Sequence, residues 1–101
     1  MGTTSHTYKT IADVRAANRA TGNHWFNRPT MRFFNTVIHG GLRQGRYFIT
    51  SESDIINPRR LFTIREAMPD GSINTVGGFQ AYRTLSDARA VLAEIIGREG
   101  K

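Results

Sequence analysis

Three histidines (His6, His24, His39) and the acidic neighbours Glu52 and Asp54 carry the side-chain chemistry of proton transfer. General acid–base catalysis requires such groups within hydrogen-bond reach of one another. An enzyme built from them therefore needs a cleft uniting His39 or His24 with Glu52 or Asp54. The histidine spacings match no metal signature, and the absence of cysteine excludes disulfides and thiolate metal sites. Each group also has a structural explanation. His6 falls in a loose lead-in, His24 beside Trp25 reads as a packed or capping group, and His39 before Gly40-Gly41 reads as bonding its own turn. Glu52 and Asp54 read as an exposed acidic strand end. There is no Walker loop, nucleophile elbow or paired-carboxylate signature. The expectation is a non-enzyme with no metal and no cofactor.

Gly40-Gly41-Leu42-Arg43-Gln44-Gly45-Arg46 combines glycines with arginines, a mixture that can present amides and guanidinium groups to a phosphate. A phosphate loop needs a strand before it and a helix after it. Here a strand follows, so the segment reads as a flexible hairpin loop carrying two arginines.

Charge says more. The net charge of +6 comes from twelve arginines and two lysines against eight acids. Guanidinium is a planar fork matched to phosphates and carboxylates, so an arginine-rich surface suits nucleic acid or an acidic protein face. Arginine in place of lysine is also what codon drift in a GC-rich genome produces. The candidate binding residues are Arg28, Arg32, Arg43, Arg46, Arg59 and Arg60, the first two close in sequence to Trp25, Phe26 and Phe34. Cations on phosphates and aromatics on bases form one kind of nucleic-acid surface. The same Trp25, Phe26, Met31, Phe33 and Phe34 also suit a core between a short helix and a sheet.

Positioning these groups takes one domain, since 101 residues leave too little apolar material for a second core. Met1–Lys9 is polar, lacks the apolar segment of a secretory signal and reads as flexible. No run approaches the roughly 20 apolar residues of a membrane helix. A cytoplasmic protein is expected. Thr10-Ile11-Ala12-Asp13 resembles a capping box and opens a helix with Ile11, Val14, Ala17 and Thr21 on one face, ended by Gly22. A second short helix is expected from Arg28 to Asn35, with Asn27 as its cap and Pro29 in its first turn. Thr36–His39 reads as a brief strand before a Gly40-Gly41 turn. Gly45–Glu52 and Leu61–Glu66 are β-branched and aromatic, hence antiparallel strands. Pro69-Asp70-Gly71 turns the chain into Ser72–Val76, Gly77-Gly78 marks a bulge or kink, and Phe79–Tyr82 extends that strand or forms another. Thr84 and Asp87 open a helix from Leu85 to Gly97 with an apolar stripe of Leu85, Ala88, Val91, Leu92, Ile95 and Ile96. Residues 98–101 read as a loose tail, leaving a single domain over 10–97.

The expected fold is α+β: two N-terminal helices, a three- to four-stranded antiparallel sheet, and a C-terminal amphipathic helix packed on it. The order of helix, antiparallel strands and helix resembles that of double-stranded-RNA-binding domains. Their second helix opens with a lysine-rich cluster where this chain has Leu85-Ser86-Asp87-Ala88-Arg89.

The runs Ala16–Phe26, Thr30–Phe34, Gly45–Glu52 and Thr75–Phe79 resemble a family of small uncharacterised proteins from bacteriophages and other mobile elements, over about Thr10 to Ile96. That resemblance implies a genomic setting in which small proteins act stoichiometrically. The expectation is an anti-defence, anti-CRISPR-like inhibitor that binds and blocks a host protein or nucleoprotein complex in the host cytoplasm. The alternative is a basic domain that holds DNA or RNA phosphates through the same arginines.

Overall fold

The computed structural model describes residues 8–22, 25–33, 35–53 and 58–99. In chain order these form α1 (Ile11–Ala20), α2 (Arg28–Phe33), β1 (Val37–Arg43), β2 (Tyr47–Glu52), β3 (Leu61–Ala67), β4 (Ile73–Val76) and α3 (Leu85–Glu99). The fold is α+β, with a four-stranded antiparallel sheet in the order β1-β2-β3-β4 and a C-terminal helix. One helix near the N-terminus, α1, is clear. The segment expected as a second helix contributes six residues rather than running to Asn35. His6, His24, Phe34 and Asp54 lie outside the described residues.

Period-two alternation assigns the two sheet faces. On one, Tyr47, Ile49 and Ile64 meet Ala88 and Leu92 of α3, with Phe62, Val76, Leu85, Val91, Ile95 and Ile96 packed around them. The helix starts as its sequence predicts, Thr84 Oγ1 accepting from the Asp87 amide at 3.0 Å. On the other face Phe48 and Ala67 meet Val14 of α1 and Phe26, ringed by Ile11, Trp25, Ile38, Leu42 and Ile73. α1 likewise begins at Thr10, whose hydroxyl accepts from the Asp13 amide at 3.2 Å. Tyr8 is held ahead of it, its amide donating to Gly45 O at 2.7 Å and its hydroxyl to Met68 O at 2.8 Å.

Beyond the reach of α1, this second face turns polar. Glu52 is fully buried there, correcting the expectation of an exposed acidic strand end. Its carboxylate accepts from Arg65 Nη2 at 2.8 Å, from Thr63 Oγ1 at 2.8 Å and from Thr50 Oγ1. Arg65 also donates through Nε to Thr50 at 3.1 Å and through Nη1 to Thr75 at 2.6 Å. Its guanidinium lies 5.4 Å from the ring centres of both Trp25 and Phe79. Gln80 closes the cluster, its amide donating to Thr63 Oγ1 and its side chain to Glu52 O, each at 2.9 Å.

Two turn assignments differ from expectation. Gly40-Gly41 does not turn the chain. It lies within β1, where the pairing with β2 shifts register between His39 and Arg43. The hairpin closes instead at Gln44-Gly45, with φ of 54° and 71°, and Arg46 N donates to Arg43 O at 3.1 Å. Positive φ at both central residues is the type I′ geometry that matches strand twist. The two arginines thus sit on a bulged strand and a tight turn rather than on a flexible loop. Phe79–Tyr82 forms neither a strand extension nor a full strand; its backbone pairs with the sheet at the Phe62–Tyr82 bridge, and Gln80 adds its bonds to Thr63 and Glu52.

α1 is docked by the β3–β4 turn. Buried Asn18 donates to Gly71 O at 2.9 Å, and Gly71 has φ of 88°. A Cβ at position 71 would lie 2.6 Å from Ala17 O. Gly71→Ala therefore combines left-handed strain with a backbone clash, and should cost about 2–4 kcal/mol, or about 10–20 °C in Tm for a domain of this size. Gly97→Ala, in α3 with nothing within 4 Å, should stabilise slightly. Paired thermal melts check both signs.

Candidate functional site

β1 is an edge strand, and its α3-facing side gathers cations from several parts of the chain. Arg60, just before β3, donates through Nη1 to Asn35 O at 2.9 Å, Ser51 O at 3.1 Å and Ser51 Oγ at 2.8 Å, which fixes it beside β1. Together with Arg32 of α2 it lines an open groove that includes Met31, Asn35, Thr36 and Val37. Further along the strand, Arg43 and Arg89 of α3 line a second recess with His39, Gly40 and Gly41. Val37 and His39 are two residues apart on one side of β1, so the recesses follow each other along the strand. Neither has an acidic lining residue among the described residues. Arg32, Arg43 and Arg89 form no ion pair among the described residues.

His39 lies between the two recesses. Its Nε2 is 2.7 Å from Ser51 Oγ and its ring packs on Phe62. Arg60 can only donate, so the arrangement satisfying all three groups has Ser51 accepting from Arg60 and giving its own proton to Nε2. Neutral His39 then carries its proton on Nδ1. Burial holds its pKa below the usual imidazole value, the charges of Arg60 and then Arg89 push the same way, and Glu52 opposes them.

Of the arginines singled out in the sequence, Arg32, Arg43 and Arg60 are thus brought to one face. Arg59 is exposed next to Arg60. Arg46 is committed within the fold, 3.7 Å from Glu66, bonded to Tyr47 Oη and lying over the Tyr47 ring. The side chain of Arg28 lies outside the described residues. Two arginines were missed. Arg65 is inside the sheet, and the signal for it was the repeat of Thr50/Glu52 and Thr63/Arg65 on one face of neighbouring strands. Arg89 carried no signal beyond a place on the polar side of α3.

As proton-transfer geometry, Ser51 and His39 are at nucleophile–base distance, but Ser51 is fully buried. Glu52 points to the opposite face of the sheet and its oxygens are occupied by Arg65, Thr50 and Thr63. Among the described residues no group of three or more His, Cys, Asp or Glu is placed to hold a metal ion. Phe26 is core, as the packing explanation of the aromatics has it, whereas Phe33 beside Arg32 is 72% exposed.

The sheet and its basic edge define an α+β domain with one cationic face. The chain belongs to DUF7447, a family of unknown function whose pattern matches residues 10–93. No curated protein and no solved structure matches it. No helix among the described residues is long and apolar enough to cross a membrane.

Because the folded pKa of His39 is lowered, the unfolded chain binds the extra proton first. The contribution of neutral His39 to stability is then present above the unfolded value of about 6.5 and lost as pH falls through it toward the folded pKa. NMR titration of the His39 ring should give a folded pKa below 6.5, and His39→Gln should flatten the fall of Tm between about pH 7 and 5. A folded pKa above that of a model imidazole would contradict this electrostatic environment.

Proposed function

We propose that this protein is a non-catalytic inhibitor that binds and blocks a host macromolecular machine through the basic face of β1. In this reading it is a phage-type accessory protein of the anti-defence, anti-CRISPR-like kind, acting in the host cytoplasm. The observation that carries it is the convergence of Arg32, Arg43, Arg60 and Arg89 from separate segments onto one face, where neither recess has an acidic lining residue among the described residues. Arg59 is exposed next to Arg60, and the six-residue α2 serves as the second of two N-terminal helices, presenting Arg32 and exposed Phe33. Arg32 and Arg60 beside exposed Val37 supply the arginine that interface hot spots favour. An acidic protein surface complements them, and such complementarity steers association.

A second reading places nucleic-acid phosphates on the same arginines, and exposed Phe33 beside Arg32 favours it as a stacking group. The two readings separate by salt. With about four phosphate contacts, log affinity should fall with log salt at a slope of about −3 to −4, whereas a shape-complementary protein interface is less sensitive.

Pull-down of the tagged protein from host lysate, with and without nuclease and at two salt concentrations, decides between them. A discrete protein partner that survives nuclease and higher salt is the expected result. Recovery of nucleic acid alone, lost at higher salt, would replace the inhibitor reading with the second one.

A further inference from the structure

We infer that the recess between β1 and α3 is a binding site for a single tetrahedral oxyanion of the phosphate type, held by Arg43, Arg89 and His39 over the bulge at Gly40-Gly41. The site is independent of which macromolecule the basic face meets.

Four observations carry it. The recess has a volume of about 40 Å³, against the 10–15 Å³ that one water requires, so it has room for about three oxygens of an anion facing the protein. Its hydrogen-bonding lining comes from two elements far apart in sequence, Arg43 and His39 from β1 and Arg89 from α3. Neither arginine forms an ion pair among the described residues, and both line the same recess. The bulge leaves the anion's approach clear, because a Cβ built at Gly40 or Gly41 would meet nothing within 4 Å. Arginine suits such a ligand because its planar fork donates two parallel bonds to oxyanions.

The chemistry also predicts a pH dependence. The groups around His39 are Arg43 on its own strand, Ser51 and Glu52 of β2, Arg60 before β3 and Arg89 of α3. The arginines stay charged throughout the neutral range. A bound dianion reverses the field at His39, favours the imidazolium and raises its pKa, so binding strengthens as pH falls and His39 takes up a proton.

Sulfate is the first probe, because its charge does not change between pH 5.5 and 8. NMR titration of the intact chain with sodium sulfate at constant ionic strength should give saturable shifts of the His39 ring and of the Gly40, Gly41 and Arg89 amides. Affinity should rise as pH is lowered. Inorganic phosphate should occupy the same residues and acetate should not. Arg43→Gln and Arg89→Gln should each weaken sulfate binding about tenfold, the loss of one charge-assisted pair, while Arg19→Gln on α1 leaves it unchanged. Shifts that grow linearly without saturation, or that persist equally in Arg43→Gln and Arg89→Gln, would overturn the site. No macromolecular partner enters this titration, so its failure is distinct from failure of the inhibitor reading.

Discussion

The guanidinium of Arg65 lies between the rings of Trp25 and Phe79 and gives its protons to Glu52, Thr50 and Thr75. That one buried cation joins β2, β3 and β4, and through Gln80 and Trp25 it also fixes the chain after β4 and the approach to α2. Removing either member of a buried pair alone typically costs about 3–5 kcal/mol, because the other is left charged and unpaired. The cluster also penalises wrong register. A one-residue slip of β2 would carry Glu52 to the face packed by α3, among Ile49, Ile64 and Leu92, and strand Arg65 without its acid.

With β2 and β3 set in that register, the remaining cations have assigned places. Ser51 alternates with Glu52 and so faces the α3 side, where it receives Arg60 and meets His39. Arg60 in turn ties Asn35 to β2, which places α2 and its Arg32 beside the start of β1. Across the Gln44–Arg46 turn Arg43 pairs with Tyr47, which puts it on the same side. The arginines thus divide between Arg65 and Arg46, each paired with an acid, and Arg32, Arg43 and Arg89, which have no ion pair among the described residues. That division, rather than the net charge, supports a binding face.

Much of the fold was legible in the residues. Thr10 with Asp13 and Thr84 with Asp87 mark helix starts because a short hydroxyl side chain reaches the third amide. Pro69-Asp70-Gly71 marks a turn because Gly71 must adopt positive φ against the α1 backbone. The β1–β2 connection was misplaced because Gly40-Gly41 is the stronger turn dipeptide by composition, while pairing with β2 continues through it and Gln44 accepts the strained φ. The site was half legible. Arg32, Arg43 and Arg60 stand out as charges, but their convergence depends on strand order and on hydrogen bonds of Arg60 across long sequence separations. Glu52 was misjudged because its partner lies on the next strand, and local pattern carries no record of pairing across strands.

In the inhibitor reading proposed above, position on the β1 face rather than overall charge creates the binding surface. Its most direct test compares partner retention by Arg32→Glu/Arg43→Glu/Arg89→Glu with that by Arg15→Glu/Arg19→Glu/Arg98→Glu, since the two triple variants change net charge equally. Both should keep the parent circular dichroism and Tm within a few degrees, because all six side chains are exposed. Loss of the partner from the first variant and retention by the second is the predicted result. Equal loss from both, or retention by both, would contradict it.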